Sequence, residues 1–261
     1  MFEIDTAWIN QWMLQWMLPF IRVGALLATA PLFDARSISR RIRIGLAAFI
    51  AYLVAGSPVT QFNPEDPLLA LVAQQVLVGA SLGFFMRIVF AAMEVAGDFI
   101  GLQMGLAFAM FIDPQKNTAS PMIGAFFNIM ATLVFLSING HLMAIDGILH
   151  SFRVVPISTD FSFLNPLKIA QSGLLLFQIA MQLSLPVMAC ILSVNIALGL
   201  LSRASPQFNI ISVGFSITII AAIVLIWLSL PFFVTFFEQA FYDLFTVPIW
   251  NGAGTTTATT P

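Results

Sequence analysis

Long apolar stretches separated by short polar segments dominate the chain. Several of them exceed a simple membrane span, and the last two contain Pro186 and Pro231, which would kink a helix. A further apolar stretch, residues 95–112, runs into a polar loop. We therefore predict an all-α membrane protein of about six long, partly kinked helices arranged as hairpins, plus a re-entrant helix and loop near residues 95–120. The six stretches that reach the ~20 residues of a spanning helix are 7–33, 42–62, 68–93, 120–149, 168–201 and 209–237.

Small residues recur at every fourth position before the polar loop. On a helix they form a ridge with almost no side chain, so that a second helix can approach closely. Such packing matters in lipid, because apolar contact with a neighbouring helix gains little over contact with acyl chains. The sequence predicts close helix packing along this ridge, which consists of Gly97, Gly101, Gly105 and Ala109.

A polar loop interrupts the apolar pattern immediately after this ridge. Asp113 and Pro114 end the helix, because proline lacks a backbone donor and disfavours helical conformation in the residue before it. Polar residues continue towards Pro121, where a new helix can begin. Irregular backbone is tolerated at membrane depth only inside protein or along a water-filled cavity. We expect this loop to line or close a pathway.

The composition indicates an integral membrane protein. Of 261 residues, 59% are hydrophobic and 8% are charged, and the mean hydropathy is +0.96; soluble domains carry about 25% charged residues. A net charge of −2 argues against a nucleic-acid partner. The single cysteine, Cys190, excludes an intramolecular disulfide. No basic residue precedes Arg22, so we expect the first apolar segment to remain as an anchor rather than to be a cleaved signal.

Basic residues alternate with acidic ones between the apolar stretches. Since Lys and Arg collect in cytoplasmic loops, the pattern places the loops after the first, third and fifth stretches in the cytoplasm and both termini on the other side. The uncharged, low-complexity segment 251–261 is predicted to be a disordered tail. The basic residues that set this orientation are Arg36, Arg40, Arg41 and Arg43, then Lys116, then Arg203.

Charged residues inside the apolar stretches are the first candidates for chemistry, because they are costly in a membrane. Arg87, Glu94 and Asp98 are seven and four residues apart and share one helix face. We predict inter-helix or intersubunit ion pairs there, with a proton relay as the alternative. Arg22 stands alone in the first stretch, where it could extend to an interface or pair with an acid.

Enzyme and metal motifs are missing from the sequence. Asp146 and His150 have i, i+4 spacing, but His141 lies off their face and no second carboxylate accompanies them. Nucleophile elbows, phosphate-binding loops and dinucleotide motifs are also missing. We expect neither an enzyme nor a cofactor or metal site.

Two further patterns leave alternatives open. The fifth stretch has a polar face, which fits either a helix interface or a pore lining. Its members are Gln171, Gln178, Gln182 and Ser193. Methionines flank the polar loop and could form a deformable constriction, or simply fill packing gaps. The constriction residues would be Met104, Met110 and Met122.

The segment LGLLSRASPQFNIISVGFSITII, residues 198–220, together with GLQMGLAFAMFIDP, residues 101–114, closely resembles the FliR family. This family also includes the T component (SctT) of virulence-type secretion systems. The resemblance covers residues 1–250, with Phe208 and Ser216 as departures from the usual Leu or Met and Pro. The virulence branch usually has a Met-Pro-x-Lys-like segment where this chain has Gly214, Phe215, Ser216 and Ile217, so the comparison favours the flagellar branch.

The resemblance implies a non-enzymatic subunit of the type III export gate. It would form, as one copy with FliP and FliQ, a channel for unfolded flagellar rod, hook and filament proteins, with FlhA and FlhB as further partners. Its location would be the bacterial inner membrane, in the flagellar basal body. Residues 1–165 would be FliP-like and residues 166–250 a FliQ-like helical hairpin. The alternatives are a virulence-type gate subunit and a stand-alone secondary transporter with a re-entrant site.

The resemblance also implies that a loop of this subunit, about residues 106–122, plugs the channel, and that a turn lies at its cytoplasmic entrance. The expected plug residues are Leu106, Met110, Phe111, Ile112, Asp113, Pro114, Gln115, Lys116, Asn117 and Met122. The expected residues of the cytoplasmic hairpin turn are Arg203, Pro206, Gln207, Asn209 and Gly214.

Overall fold

A computed structural model describes residues 6–33, 39–55, 66–106, 122–163, 166–204 and 210–246. Within these ranges the chain forms helices and no strand. The predicted all-α class is therefore confirmed. The helices are α1 (Thr6–Thr29), α2 (Arg40–Ala55), α3 (Leu68–Gln103), α4 (Met122–Ser137), α5 (Gly140–Val154), α6 (Pro166–Ala204) and α7 (Ile210–Thr246).

Three of these helices contain segments long and apolar enough to cross a membrane. They are Leu68–Gln103, Gln171–Ala204 and Gly214–Tyr242, and a fourth span results if the bent pair α4 and α5 counts as one. In α1 the apolar part, Leu14–Thr29, is shorter, and α2 has 16 residues. At about 1.5 Å per residue α2 is about 24 Å long, which is less than the ~30 Å hydrocarbon core.

Two helix boundaries differ from the sequence prediction. The third apolar stretch and the beginning of the re-entrant stretch form one continuous helix, α3, of 36 residues. The fourth stretch is instead divided at Asn139, whose φ of 56° and ψ of 34° lie in the left-handed region. Asn is among the few residues that adopt this conformation readily, so α4 ends and α5 begins there.

The prolines do not divide their helices. Pro186 lies inside α6, and Pro231 inside α7. In α7 the hydroxyl of Thr235 donates to the Pro231 carbonyl over 3.1 Å.

The chain forms two compact units. The first comprises Met1–Arg87, Asn139–Ala170 and Asp243–Pro261, and the second comprises Ile88–Ile138 and Gln171–Tyr242. Helices α3, α6 and α7 each contribute residues to both. The domain boundary between residues 165 and 166 stays a prediction, and the tail 251–261 lies outside the described residues.

A hydrophobic core holds the first unit together. It is built from α1, α2, the first part of α3, α5 and the segment after α5. Its members are Leu18, Val23, Leu26, Leu27, Ala47, Ile50, Val54, Leu71, Leu82, Ile148, Phe152 and Ile157.

Phenylalanine rings join the helices of the second unit. Phe90 of α3 lies 5.6 Å from Phe135 of α4 and 5.4 Å from Phe237 of α7, measured between ring centroids. Phe127 and Phe233 approach to 4.7 Å in the same edge-to-face manner. Such aromatic pairs add about 0.5–1.5 kcal/mol each beyond the area that they bury. Helices α3, α4 and α7 are therefore fixed against one another around these rings.

Candidate functional site

The glycine ridge of α3 packs against α4. A Cβ atom added at Gly97 would lie 2.8 Å from both Gly124 Cα and the Ile123 carbonyl oxygen. Only glycine allows the two backbones to come this close, since real Cβ contacts are longer than 3.0 Å. At Gly101 an added Cβ would lie 3.5 Å from Ile123 side-chain atoms, an ordinary van der Waals distance. The tight part of the contact is thus centred on Gly97 and Gly124.

The third glycine of the ridge has a different role. Gly105 lies beyond the end of α3 with a φ of 80°, and its N–H donates to the Leu102 carbonyl over 3.0 Å. The next N–H, of Leu106, donates to the Gly101 carbonyl over 3.3 Å. Left-handed glycines with such bonds commonly end helices, so Gly105 closes α3 instead of extending the ridge. Ala109 lies outside the described residues.

Two carboxylates lie beside the tight contact. The side-chain amide of Asn128 on α4 donates to Glu94 Oε2 over 2.9 Å. Asp98, one turn further along α3, has its Oδ1 atom buried against Gly124 and without a hydrogen-bond partner in the described part of the chain. Arg87 is exposed, and no ion pair joins it to either carboxylate among the described residues. The predicted ion pairs therefore stay a prediction.

Most of the predicted plug loop falls on residues 107–121, which lie outside the described ranges. The described ends of the loop are Leu106, which is half-buried, and Met122, which is 79% exposed at the start of α4. Of the predicted constriction, Met104 is only 3% exposed, because it packs into the second unit, and Met110 is not described. The structure thus shows where the loop leaves and rejoins the helices.

Helices α6 and α7 make a polar contact close to the predicted cytoplasmic turn. The Thr218 hydroxyl lies 2.9 Å from the Gly214 carbonyl oxygen and 3.0 Å from Asn195 Oδ1 of α6. Gly214 is buried and Arg203 is exposed. The other predicted turn residues, Pro206, Gln207 and Asn209, lie outside the described residues.

The long helices leave much of their surface uncovered. In the most apolar segments of α6 and α7 only 22% of the residues are buried, compared with 61% in the corresponding segment of α3. Gln171, Gln178 and Gln182 are exposed on α6. Amide groups facing lipid without hydrogen bonds are costly, so this face is suited to a partner protein or to water.

Sequence reasoning missed a buried polar network around Arg22. The arginine is fully buried, and its Nε donates to Gln75 Oε1 over 2.7 Å. Its terminal nitrogens donate to Ser151 Oγ over 3.2 Å and to the Val155 carbonyl over 3.0 Å, and the guanidinium lies 4.0 Å from the Phe152 ring centroid. Among the described residues Arg22 has no acidic partner. Arg22 therefore neither extends to an interface nor pairs with an acid in the described ranges, and both expectations for it were wrong.

The network continues into the segment that follows α5. Gln75 donates to Gln74 Oε1 over 2.7 Å, and Gln74 donates to the Asp160 carbonyl over 3.0 Å. The hydroxyl and backbone N–H of Ser162 donate to the exposed Asp160 carboxylate and hold its pKa below the usual value. The signal in the sequence was the pair of glutamines inside an apolar stretch.

The described residues contain no group of three or more His, Cys, Asp or Glu side chains that could hold a metal ion.

Comparison with known proteins decides the family. The model of the bacterial export proteins, family 1, matches residues 13–244. The chain belongs to this family. It is 40% identical to the flagellar biosynthetic protein FliR of Pectobacterium carotovorum over 90% of this chain and 91% of that protein. It is 37% identical to the FliR proteins of Escherichia coli and Bacillus subtilis, over 94% and 80% of this chain and 95% and 83% of theirs.

Membership of this family accounts for the general character of the chain. The matched region includes nearly every described helix, from within α1 to within α7. Its apolar helices make it a multi-pass membrane protein, and the family places it among components of bacterial protein export rather than among enzymes.

Proposed function

We propose that the chain is a subunit of the flagellar type III protein export gate in the bacterial inner membrane. With FliP and FliQ it would form a gated channel for unfolded rod, hook and filament proteins, next to FlhA and FlhB in the basal body. The observation that carries this proposal is the near full-length similarity to proteins named flagellar biosynthetic protein FliR. The similarity covers the loop and the α6–α7 pair together, rather than one short motif.

The uncovered surface of α6 supports a role inside an assembly. Three exposed glutamines lie on one side of a largely apolar helix. Side-chain amides at membrane depth are stabilised when they bond across a helix interface. Partner helices of a channel would supply such bonds, and they would also cover the aliphatic side chains between the glutamines.

The contact between α3 and α4 supports a plug in the segment 106–122. The segment leaves α3 at Gly105 and rejoins the fold at Met122, only two residues before Gly124. Because Gly97 and Gly124 hold the two helices in backbone contact, both ends of the segment are attached to one rigid base. A loop with a fixed base can close a channel and move aside without disturbing the helices that carry it.

Deletion of residues 113–117 tests the plug. We expect cells that overproduce the assembled complex with this deletion to leak ions and small molecules, because the loop becomes too short to close the channel. The matched control removes five residues, 255–259, from the terminal tail and should leave permeability unchanged. Co-purification of FliP and FliQ with each variant shows whether the complex still forms.

Two outcomes contradict the proposal in different ways. Unchanged permeability of an assembled deletion variant would refute the plug but leave the gate subunit in place. Failure of the intact chain to co-purify with FliP and FliQ would refute the gate subunit itself, and solute transport by the purified chain alone would favour a secondary transporter.

A further inference from the structure

One side-chain amide holds most of the segment that follows α5. Residues 155–160 have neither helical nor strand conformation, so their backbone groups have no regular partners. Gln74 of α3, which is fully buried, supplies them instead. Its Nε2 lies 3.3 and 3.0 Å from the carbonyl oxygens of Pro156 and Asp160 and 3.1 Å from the Ser158 hydroxyl. Its Oε1 accepts the backbone N–H of Ser158 over 3.1 Å.

The hydrogen bonds that lead from Arg22 to this segment all run in one direction. Arginine has donors and no acceptor, and its Nε donates to Gln75 Oε1 over 2.7 Å. This orientation turns the amino group of the buried Gln75 towards Gln74, whose Oε1 accepts from it over 2.7 Å. The amino group of Gln74 is then left for the carbonyl oxygens of the segment. A reversed Gln75 amide would place its amino group against the guanidinium donors and its oxygen against the oxygen of Gln74.

We propose that Arg22 couples α1 to segment 155–160 by fixing the direction of this hydrogen-bond chain. Of the described residues 155–160, Arg22 bonds to Val155 alone, through the carbonyl oxygen. Its effect on Ser158 and Asp160 is transmitted by the amides of the two glutamines, since hydrogen bonds in a buried chain polarise one another. A displacement of α1 that withdraws the guanidinium therefore loosens a part of the segment that Arg22 does not contact. This coupling is independent of the proposed export role.

Hydrogen–deuterium exchange of the purified full-length protein in detergent tests the coupling. Mass spectrometry with electron-transfer fragmentation resolves the Ser158 amide, whose N–H bonds to Gln74 Oε1. Q75E is the most informative variant, because a carboxylate still accepts from Arg22 but has no donor for Gln74. Two acceptors then face each other, so the Gln74 amide turns and the Ser158 N–H loses its acceptor. We expect this amide to exchange about tenfold faster in Q75E.

Three further variants separate the direction of the chain from general effects. S151A removes another acceptor of Arg22, at 3.2 Å, and leaves the two glutamines intact, so exchange at Ser158 should not change. Q74L removes the acceptor of the Ser158 N–H itself and sets the upper limit of the effect. R22M removes the donor that orients Gln75, and its effect should lie between those of S151A and Q75E, because Gln75 can still donate to Gln74. Each variant is measured equally far below its own Tm.

Two results would overturn the proposal. Exchange at Ser158 that is unchanged in Q75E but faster in Q74L would show that Gln74 holds the segment without regard to Arg22. Equally faster exchange in Q75E and S151A would show that both substitutions merely loosen the unit. If Q75E does not fold, R22M takes its place, and exchange at Ser158 no faster than in S151A would contradict the coupling.

Discussion

Replacing Arg22 by methionine removes the guanidinium that links α1, α3 and the end of α5, while it keeps an unbranched, apolar side chain in place of the aliphatic part of the arginine. The bonds lost are those to Gln75, Ser151 and the Val155 carbonyl, together with the contact over Phe152. Hydrogen bonds from a charged donor contribute about 1.5–3 kcal/mol each. Removing a buried charge relieves several kcal/mol of desolvation, so we expect R22M to lower the free energy of unfolding by about 3 kcal/mol.

The partner variant Q75L tests whether this loss comes from the network rather than from packing. It leaves the buried Nε–H of Arg22 without its acceptor at 2.7 Å, and we expect a loss of about 3 kcal/mol. S151A should cost about 1 kcal/mol, because its bond to Arg22 is longer, at 3.2 Å. In the double variant R22M/Q75L, donor and acceptor are removed together, so its cost should be smaller than the sum of the single costs by about 1.5–3 kcal/mol.

Thermal unfolding of the purified protein in detergent, followed by tryptophan fluorescence, measures these effects. A loss of 3 kcal/mol corresponds to a Tm lower by about 6–12 °C for a chain of this size. If R22M unfolds within a degree of the unmodified protein, or if the two single effects simply add in the double variant, the network does not stabilise the fold and the reasoning is wrong.

Two glycines give further predictions. G97A should lower the free energy of unfolding by about 1–3 kcal/mol, because its Cβ would meet the backbone of α4 at 2.8 Å; the same assay on G173A, where a Cβ meets nothing within 4 Å, should show no loss or a slight gain. G105A should lower the free energy of unfolding by about 1–2 kcal/mol, because alanine disfavours the left-handed φ of this position. G105N should lower it less, because Asn adopts this conformation more readily. Equal stability of the unmodified protein and both variants would contradict this account of the helix end.

Hydropathy predicted the helical class well because long apolar stretches leave the backbone few alternatives in a membrane. Helix ends were less predictable. Asn139 and Gly140 form a common turn pair, yet they lie in the middle of an apolar stretch of helical length, so the break there was missed. Conversely, the continuous α3 was divided at Glu94, although a charged residue need not end a helix.

The candidate site was predictable only as far as local spacing determines it. Repeated small residues revealed a packing ridge, but they could not show that Gly97 meets Gly124 of the same chain, because that contact depends on tertiary structure. The bond between Arg22 and Gln75 joins residues 53 apart. No periodicity connects them, and an isolated arginine is compatible with many environments.

All the side-chain and backbone acceptors of Arg22 are neutral: an amide, a hydroxyl and a carbonyl. None of these acceptors titrates, and acidification favours the charged form of arginine. Acidification to about pH 4, where carboxylates begin to take up protons, would therefore leave this link between helices intact. Changes in ionic strength would also have little effect on it, because buried interactions are screened much less than exposed ones. The link that Arg22 makes between α1, α3 and the end of α5 thus does not respond to the ionic conditions outside the protein.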